Sequence, residues 1–512
     1  MKGAEIALRT AAAAGVNICF ANPGTTEMEL VDAFDSTPGM RAVLCLFEGV
    51  ATGAADGYAR IAGQPALTLL HLGPGFAGGI ANLHNARRAH SPVINLIGDH
   101  ARWHLAADAP LTSDIESLAT PVSQFVRRVG AAASIGRDMA DAIATANGPP
   151  SGVASLIVPQ DAAWDEAEFE VIAPASGTHE VDTAEVERAA RILRDKAERS
   201  AVLIGGSISA RATEAAAAIR TATGCRVLSD TFPARIRQGA GVHALDQLPY
   251  FPEQAIETLA GLEALVLVGT RAPVGFFGYR SLGRSDLAPE GCEFLRLCSR
   301  GTRPQADLQA LAEALEAETP ALAAPDSIPM PADGPLDIFS FGTVLAASQR
   351  PETIVVQEGA TSALGWGMHA QAAPAHDVLH LTGGAIGQGL PNAVGAALAA
   401  PDRPVLALQA DGSGLYTVQA LWTMARENLD VTVVVCANRA YRILQMELGR
   451  TGVTEPGPNA IGLTDLTRPE MSWTALAAGF GVAAESVETT TELARALATE
   501  SRGPRLIEAR IT

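Results

Sequence analysis

Two short stretches decide how this chain folds: Ala407-Leu-Gln-Ala-Asp-Gly-Ser413 and Val433-Val-Val-Cys-Ala-Asn-Arg-Ala-Tyr441. Each is an apolar run that stops at one polar residue, Asp411 in the first and Asn438 in the second. Runs this short and this apolar predict strands buried on both faces, here over 405–410 and 431–436. The two tips lie 27 residues apart, from 411 to 438, which is what one helix and the next parallel strand take up. Asp411 and Asn438 should therefore emerge side by side at the carboxyl edge of one sheet, the edge where open α/β sheets take ligands. A carboxylate, an amide oxygen and a main-chain carbonyl are hard donors suited to Mg²⁺, which shares its remaining positions between water and phosphate oxygens. Gly412 and Ser413 open a helix whose positive N-terminus would face the same phosphates. The plainer reading is an Asp-Gly turn and an unrelated Asn. The spacing and the two buried strands favour the pair.

Apolar runs alternating with Ala-rich helical patterns continue through the rest of the chain. They predict strands over 43–47, 66–71, 93–97 and 153–158, then 200–204 and 264–268, then 353–357. Two segments break the alternation: 173–179, and 318–337 with its five prolines. The fold class that follows is α/β, with three consecutive domains at 1–172, 180–318 and 337–512, each a parallel sheet flanked by helices. In the middle domain, glycines follow the strands at 205–206 and 269, yet neither completes G-x-G-x-x-G. There the glycine simply permits the strand-to-helix turn.

Composition narrows the function. With 512 residues and a net charge of −19, the chain has no basic stripe to hold a phosphate backbone, so nucleic acid and anionic membrane surfaces are excluded as partners. No run reaches the roughly 18 apolar residues of a membrane span. The N-terminus reads as an amphipathic helix and not as a secretory signal. Six cysteines without metal-type spacing point to reduced thiols and a cytoplasmic protein.

Five other stretches carry chemistry. CLFEGVATGAADGYAR (45–60) puts Glu48 at a strand end; taken alone, it is a helix N-terminal charge. LLHLGPGF (69–76) puts His71 at a strand tip before a glycine loop. ANPGTTEMELVDAF (21–34), VVQEGATSALGW (355–366) and the glycine-rich TGGAIGQGLPNAVGAALA (382–399) complete the set. Together with Asp411 and Asn438 they resemble the thiamine diphosphate (ThDP) enzyme superfamily, nearest to benzoylformate decarboxylase and to acetolactate synthase large subunits. Two departures from the family's GDG…NN pattern are Ala410 and Ala437.

The resemblance implies an N-terminal pyrimidine-binding, a middle and a C-terminal diphosphate-binding domain. It implies Mg²⁺ held by Asp411, Asn438 and the carbonyl of Ala440. ThDP would meet Glu48, Glu358, Gly359, Ala360, Gly384, Ile386, Asp411, Gly412, Ser413, Asn438 and Tyr441. Glu48 would share a proton with the aminopyrimidine ring from an apolar pocket that raises its pKa, and Ile386 would bend the cofactor. Thr25 stands where benzoylformate decarboxylases place an active-site Ser, and His71 where they place a proton shuttle. Acetolactate synthases lack that His, and the run His71-Leu-Gly-Pro-Gly75 is a hybrid of the two. The decarboxylases' second His, from the middle domain, has no counterpart in 269–283, where Phe276 and Phe277 stand. Leu72, His100, Ile443 and Glu447 would join His71, Phe276 and Phe277 around the substrate. Glu447 replaces a bulky aromatic, which speaks against an aryl 2-oxo acid.

His104, like His100, otherwise reads as a surface or capping group, and His84, Arg87, Arg88 and His90 as a solvated or interface face. The implied function is ThDP- and Mg²⁺-dependent decarboxylation of a 2-oxo acid, with carboligation where an aldehyde takes the place of the proton. The alternatives are acetolactate-synthase-like condensation and a non-catalytic ThDP-binding homologue. The middle domain gives no sign of FAD binding. A homodimer at least, and commonly a homotetramer, is implied.

Overall fold

The predicted strands all form in a computed structural model that describes residues 1–322, 324–499 and 503–511. The first part contributes β1 (Ile18–Asn22), β2 (Arg41–Leu44), β3 (Ala66–Leu70), β4 (Val93–Asp99), β5 (Phe125–Arg128) and β6 (Val153–Pro159). They form a parallel sheet in the order β2-β1-β3-β4-β6-β5. Strands β3, β4 and β6 are buried along their whole length, because helices cover both faces of a parallel sheet.

The middle part contributes β7 (Ser200–Ile204), β8 (Ser207–Ile208), β9 (Arg226–Ser229), β10 (Arg235–Gln238), β11 (Asp246–Gln247), β12 (Ala264–Val268) and β13 (Glu293–Cys298). Five of these make a parallel sheet in the doubly wound order β11-β9-β7-β12-β13, and β8 pairs with β10.

The last part contributes β14 (Ile354–Glu358), β15 (His376–Leu379), β16 (Val405–Ala410), β17 (Val431–Ala437), β18 (Ala483–Val487) and β19 (Arg505–Arg510). These run β18-β19-β17-β16-β14-β15, all parallel. Read from the other edge, this is the strand order of the first sheet.

Several boundaries differ from expectation. The strand predicted over 43–47 ends at Leu44, and Glu48 opens the helix Glu48–Ala62. His71 is likewise past its strand, at the N-cap of the helix Leu72–Ala89. Strands β1, β5, β8, β9, β10, β11, β13, β15, β18 and β19 fall outside the predicted ranges. The edge strands β5, β13 and β18 are partly exposed and carry charges, so the apolar period is broken.

The chain divides into two compact units. One comprises Met1–Asn147, Gly152–Ser176 and Asp326–Thr512, and the other Gly148–Ser151 and Gly177–Pro325. The first and last sheets thus belong to one unit and share one core, in which Phe20, Val43 and Leu83 cluster with Val356, Leu390 and Val433. The helices Glu48–Ala62 and Gly389–Ala399 cross within that core at glycines. A Cβ on Gly57 would come within 2.3 Å of the Asn392 carbonyl, and one on Gly395 within 1.9 Å of the Ala54 carbonyl. Beside the crossing, the buried Arg60 pairs with Asp56 and donates to the His380 carbonyl at 2.7 Å and to Thr382 at 3.1 Å. Among the described residues no helix is long and apolar enough to cross a membrane.

Candidate active site

The carboxyl tips of β1 to β4 carry the first group. After β1 the chain makes a 3-10 turn, Thr25–Glu27. Glu27 is fully buried; its Oε2 accepts the Gly24 N–H at 2.7 Å and lies 2.8 Å from Nδ1 of His71. Thr26 donates to the other Glu27 oxygen and stands 3.3 Å from the same ring nitrogen. A carboxylate against Nδ1 fixes the tautomer, so the proton sits there and Nε2 is the exchanging nitrogen. Glycines make the room: a Cβ on Gly24 would lie 2.3 Å from the His71 ring, and one on Gly98 1.6 Å from Glu27 Oε1. Neither Thr26 nor Glu27 was foreseen. The one signal, a glutamate three residues after Gly24, is also what a capping box looks like. Thr25 is exposed at the head of the turn.

Glu48 is half-buried and lies against the helix that follows His71. A Cβ on Gly75 would be 3.2 Å from Glu48 Oε1 and equally 3.2 Å from His71 Cβ, and one on Gly78 would be 2.7 Å from Oε2. The glycines after His71 therefore let Glu48 and His71 flank one spot. Leu72, the residue after His71, has φ +52° and a fully buried side chain, so its strain is held by the core.

On the neighbouring tip, His100 follows β4, which is in register with β3 at Leu70 and Ile97. Its Nε2 is buried without a partner, and its ring stands 5.3 Å from that of His104. Burial, and then His104 and His71, push the His100 pKa down.

The tips of β14 to β17 carry the second group. Asp411 is buried; Oδ1 accepts the Gly412 N–H at 2.8 Å and Oδ2 the Arg439 N–H at 2.6 Å. Burial holds its carboxyl above the usual range despite those amides. Asn438 accepts the Ala440 N–H at 3.0 Å and donates to Ser362 at 3.4 Å. The register of β16 and β17, Ala410 against Cys436, brings Asp411 over the turn through Asn438 and Ala440. The donor set fits a hard divalent cation: two side-chain oxygens on adjacent tips, one of them a buried carboxylate whose charge a cation would offset. Strain recurs here, with φ +47° at Ala360 and +56° at Arg439.

The helix expected behind Ser413 is a single turn, Asp411–Gly414, running into a 3-10 turn. It offers amides but little dipole. Gly412 lies under the Tyr441 ring, 2.5 Å from where a Cβ would be.

Glu358 is buried, and its carboxylate accepts the N–H of Gly387 at 2.6 Å and of Gly389. It thus holds the loop carrying Gly384 and Ile386, and burial raises its pKa. The same loop is gripped by the helix after His71. Asn85 donates to the Ala385 carbonyl at 2.7 Å, Asn82 to Gly387 at 3.2 Å, and His84 Nε2 lies 3.1 Å from the Gly383 carbonyl. His84, read as part of a solvated or interface face, is instead a docking residue within the chain.

The other expected residues are more scattered. Gly359 is buried at the tip of β14 beside the exposed Ala360. Ile443 and Glu447 are half-buried on the helix Arg442–Arg450, with Glu447 3.5 Å from Arg450. Phe276 and Phe277, 5.4 Å apart, belong within the middle unit to an aromatic group with Phe232 and Tyr250.

Residues 1–118 match the family model "Thiamine pyrophosphate enzyme, N-terminal TPP binding domain", and residues 359–509 match its C-terminal counterpart. A Mycobacterium tuberculosis (strain H37Rv) protein, provisionally named acetolactate synthase large subunit IlvX, is 49% identical over 99% of this chain and 98% of its own length. Benzoylformate decarboxylase of Pseudomonas aeruginosa (strain PAO1) is 29% identical over 94% and 93%. The fold matches the solved ThDP-dependent 4-hydroxybenzoylformate decarboxylase of Rhodococcus jostii RHA1 with a TM-score of 0.86, covering 100% of this chain and 99% of that one, at 24% identity.

Proposed function

The chain belongs to the thiamine pyrophosphate enzymes, and on that premise we propose that it is a ThDP- and Mg²⁺-dependent enzyme that decarboxylates a 2-oxo acid without oxidation. The observation that carries this reading is the 2.8 Å contact between the buried Glu27 and His71 Nδ1. An imidazole oriented by a carboxylate can hand a proton from Nε2 to a carbanion and take one back, which is what aldehyde release needs.

Bound ThDP supplies the electron sink for the pair released when the C–CO₂⁻ bond breaks. Glu48 would hold the proton shared with the aminopyrimidine ring. Asp411, Asn438 and the Ala440 carbonyl would hold Mg²⁺ and, through it, the diphosphate. Glu358 fixes the loop on which Ile386 presents its side chain. His71 delivers the proton, and His100, with an unpartnered nitrogen on the next tip, is placed to relay it in the role left open by Phe276 and Phe277. A homodimer is the smallest assembly this reading carries, a homotetramer the larger one.

A second reading, condensation of two 2-oxo acids as in acetolactate synthases, is supported by the 49% identical relative and by Gly73-Pro74-Gly75 beside Glu48. One experiment separates the two. The protein is incubated with ThDP, Mg²⁺ and a panel of aliphatic and aromatic 2-oxo acids, with and without aldehydes, and products are followed by NMR. CO₂ is released in both, so the organic product decides: an aldehyde, or a 2-hydroxy ketone without a carboxylate, supports the first reading, and a 2-hydroxy-3-oxo acid that keeps one of the two carboxylates supports the second. No turnover of any substrate with ThDP bound leaves a non-catalytic binder.

A further inference from the structure

We propose that the middle unit carries a second metal site, built for a borderline-soft divalent ion such as Zn²⁺ from His179, Cys298 and Asp307. The three come from separate elements of that unit. His179 is in the segment ahead of the helix Thr183–Lys196, Cys298 ends β13, and Asp307 is in the first turn of the helix Gln305–Ala314. Their ligating atoms all lie within 4.8 Å of one another. Asp307 is fully buried and Cys298 is 3% exposed, while the His179 side chain is 25% exposed and gives an ion its way in.

His179 Nε2 already faces both Asp307 oxygens, at 2.8 and 3.0 Å. Donors on a tetrahedral Zn²⁺, with bonds of roughly 2.0–2.3 Å, stand about 3.5 Å apart. A small swing of the half-exposed imidazole therefore converts the present contact into a ligand set. Charge also balances: a thiolate and a carboxylate neutralise the ion, and neutral imidazole adds nothing. The alternative leaves a buried carboxylate matched by His179 and by a hydrogen bond from the Cys298 thiol. Burial first, and then Asp307, push the Cys298 thiol far up. A bound cation reverses that preference, as it does for coordinating thiols generally.

Thiolate and imidazole favour Zn²⁺ over the Mg²⁺ that suits the oxygen donors of Asp411 and Asn438. Water would complete the fourth position on the His179 side. The consequence is structural, since the ion would staple the segment entering the unit to the last strand of its sheet and to its last helix.

The test uses the full-length protein with ThDP and Mg²⁺ present, so that the oxygen site is filled. Co²⁺ is titrated in and the near-ultraviolet thiolate-to-metal band recorded. We expect one equivalent of Co²⁺ with that band, displaced by Zn²⁺. Cys298→Ser should abolish the band, and His179→Ala, at a half-exposed position that should still fold, should weaken Co²⁺ binding at least about tenfold. Cys436→Ser, which removes the thiol beside Asp411, should leave the band intact. Circular dichroism checks folding of each variant. A folded wild-type protein with no band, or a band that survives Cys298→Ser, overturns the proposal.

Discussion

The first and last sheets share one strand order, one switch point and one core, yet their tips carry different chemistry. At the first, the groups are of a kind able to exchange protons: Glu48, His71 backed by Glu27, and His100 with an unpartnered nitrogen. At the last, they are ones that stay fixed: Asp411 and Glu358 each held by two backbone amides, and Asn438 tied to its own turn. An α/β architecture provides the place where ligands bind, but side chains at equivalent tips decide whether that place holds a ligand or reacts with it.

The largest effect that could break the contrast is at Glu48. Glu48→Gln should lower C2-proton exchange of bound ThDP by about 10²- to 10⁴-fold, read by deuterium exchange in NMR, with binding nearly unchanged. An unchanged exchange rate would place the proton chemistry elsewhere. Next comes the join between the two sheets. Asp56→Ala removes the carboxylate that balances the buried Arg60 charge, and urea unfolding should show a loss of about 3–5 kcal/mol.

The same join predicts an acid response. Burial, helped by Arg60, lowers the pKa of His380 to about 4, so the folded state keeps it neutral where the unfolded chain protonates it. Stability from this group is complete above the unfolded value of about 6.5 and is lost as pH falls towards about 4, by up to about 3 kcal/mol. His380→Gln should flatten the stability-versus-pH curve in that window. Asp411→Asn should weaken Mg²⁺ and cofactor binding about 10- to 100-fold by calorimetry, while turnover at saturation changes much less. The smallest effect sharpens the contrast: Glu27→Gln should cost about tenfold in kcat for the proton-delivery step, because His71 loses the carboxylate that orients it. A change in KM with kcat untouched would demote Glu27 to packing.

Asp411 and Asn438 were legible because each ends a fully buried strand on a single polar residue. Glu27 was not, since a glutamate three residues after a turn usually caps a helix. Only the fold brings it against a histidine 44 residues away. Glu358 was placed near the cofactor from resemblance alone, and its grip on the Gly387 and Gly389 amides was invisible because those partners lie across a loop. Leu72, grouped with the substrate pocket, is packed into the core. The edge strands β5 and β18 were lost for the opposite reason: partly exposed and charged, they show no period to read.

The shared core has a consequence during synthesis. Residues 1–176 leave the ribosome with Phe20, Val43 and Leu83 turned toward partners that begin only at residue 326. At typical elongation rates the intervening segment takes on the order of ten seconds. For that time the nascent chain presents an uncovered apolar face, and we expect cells short of nascent-chain chaperones to lose this protein to aggregation before its last sheet is made.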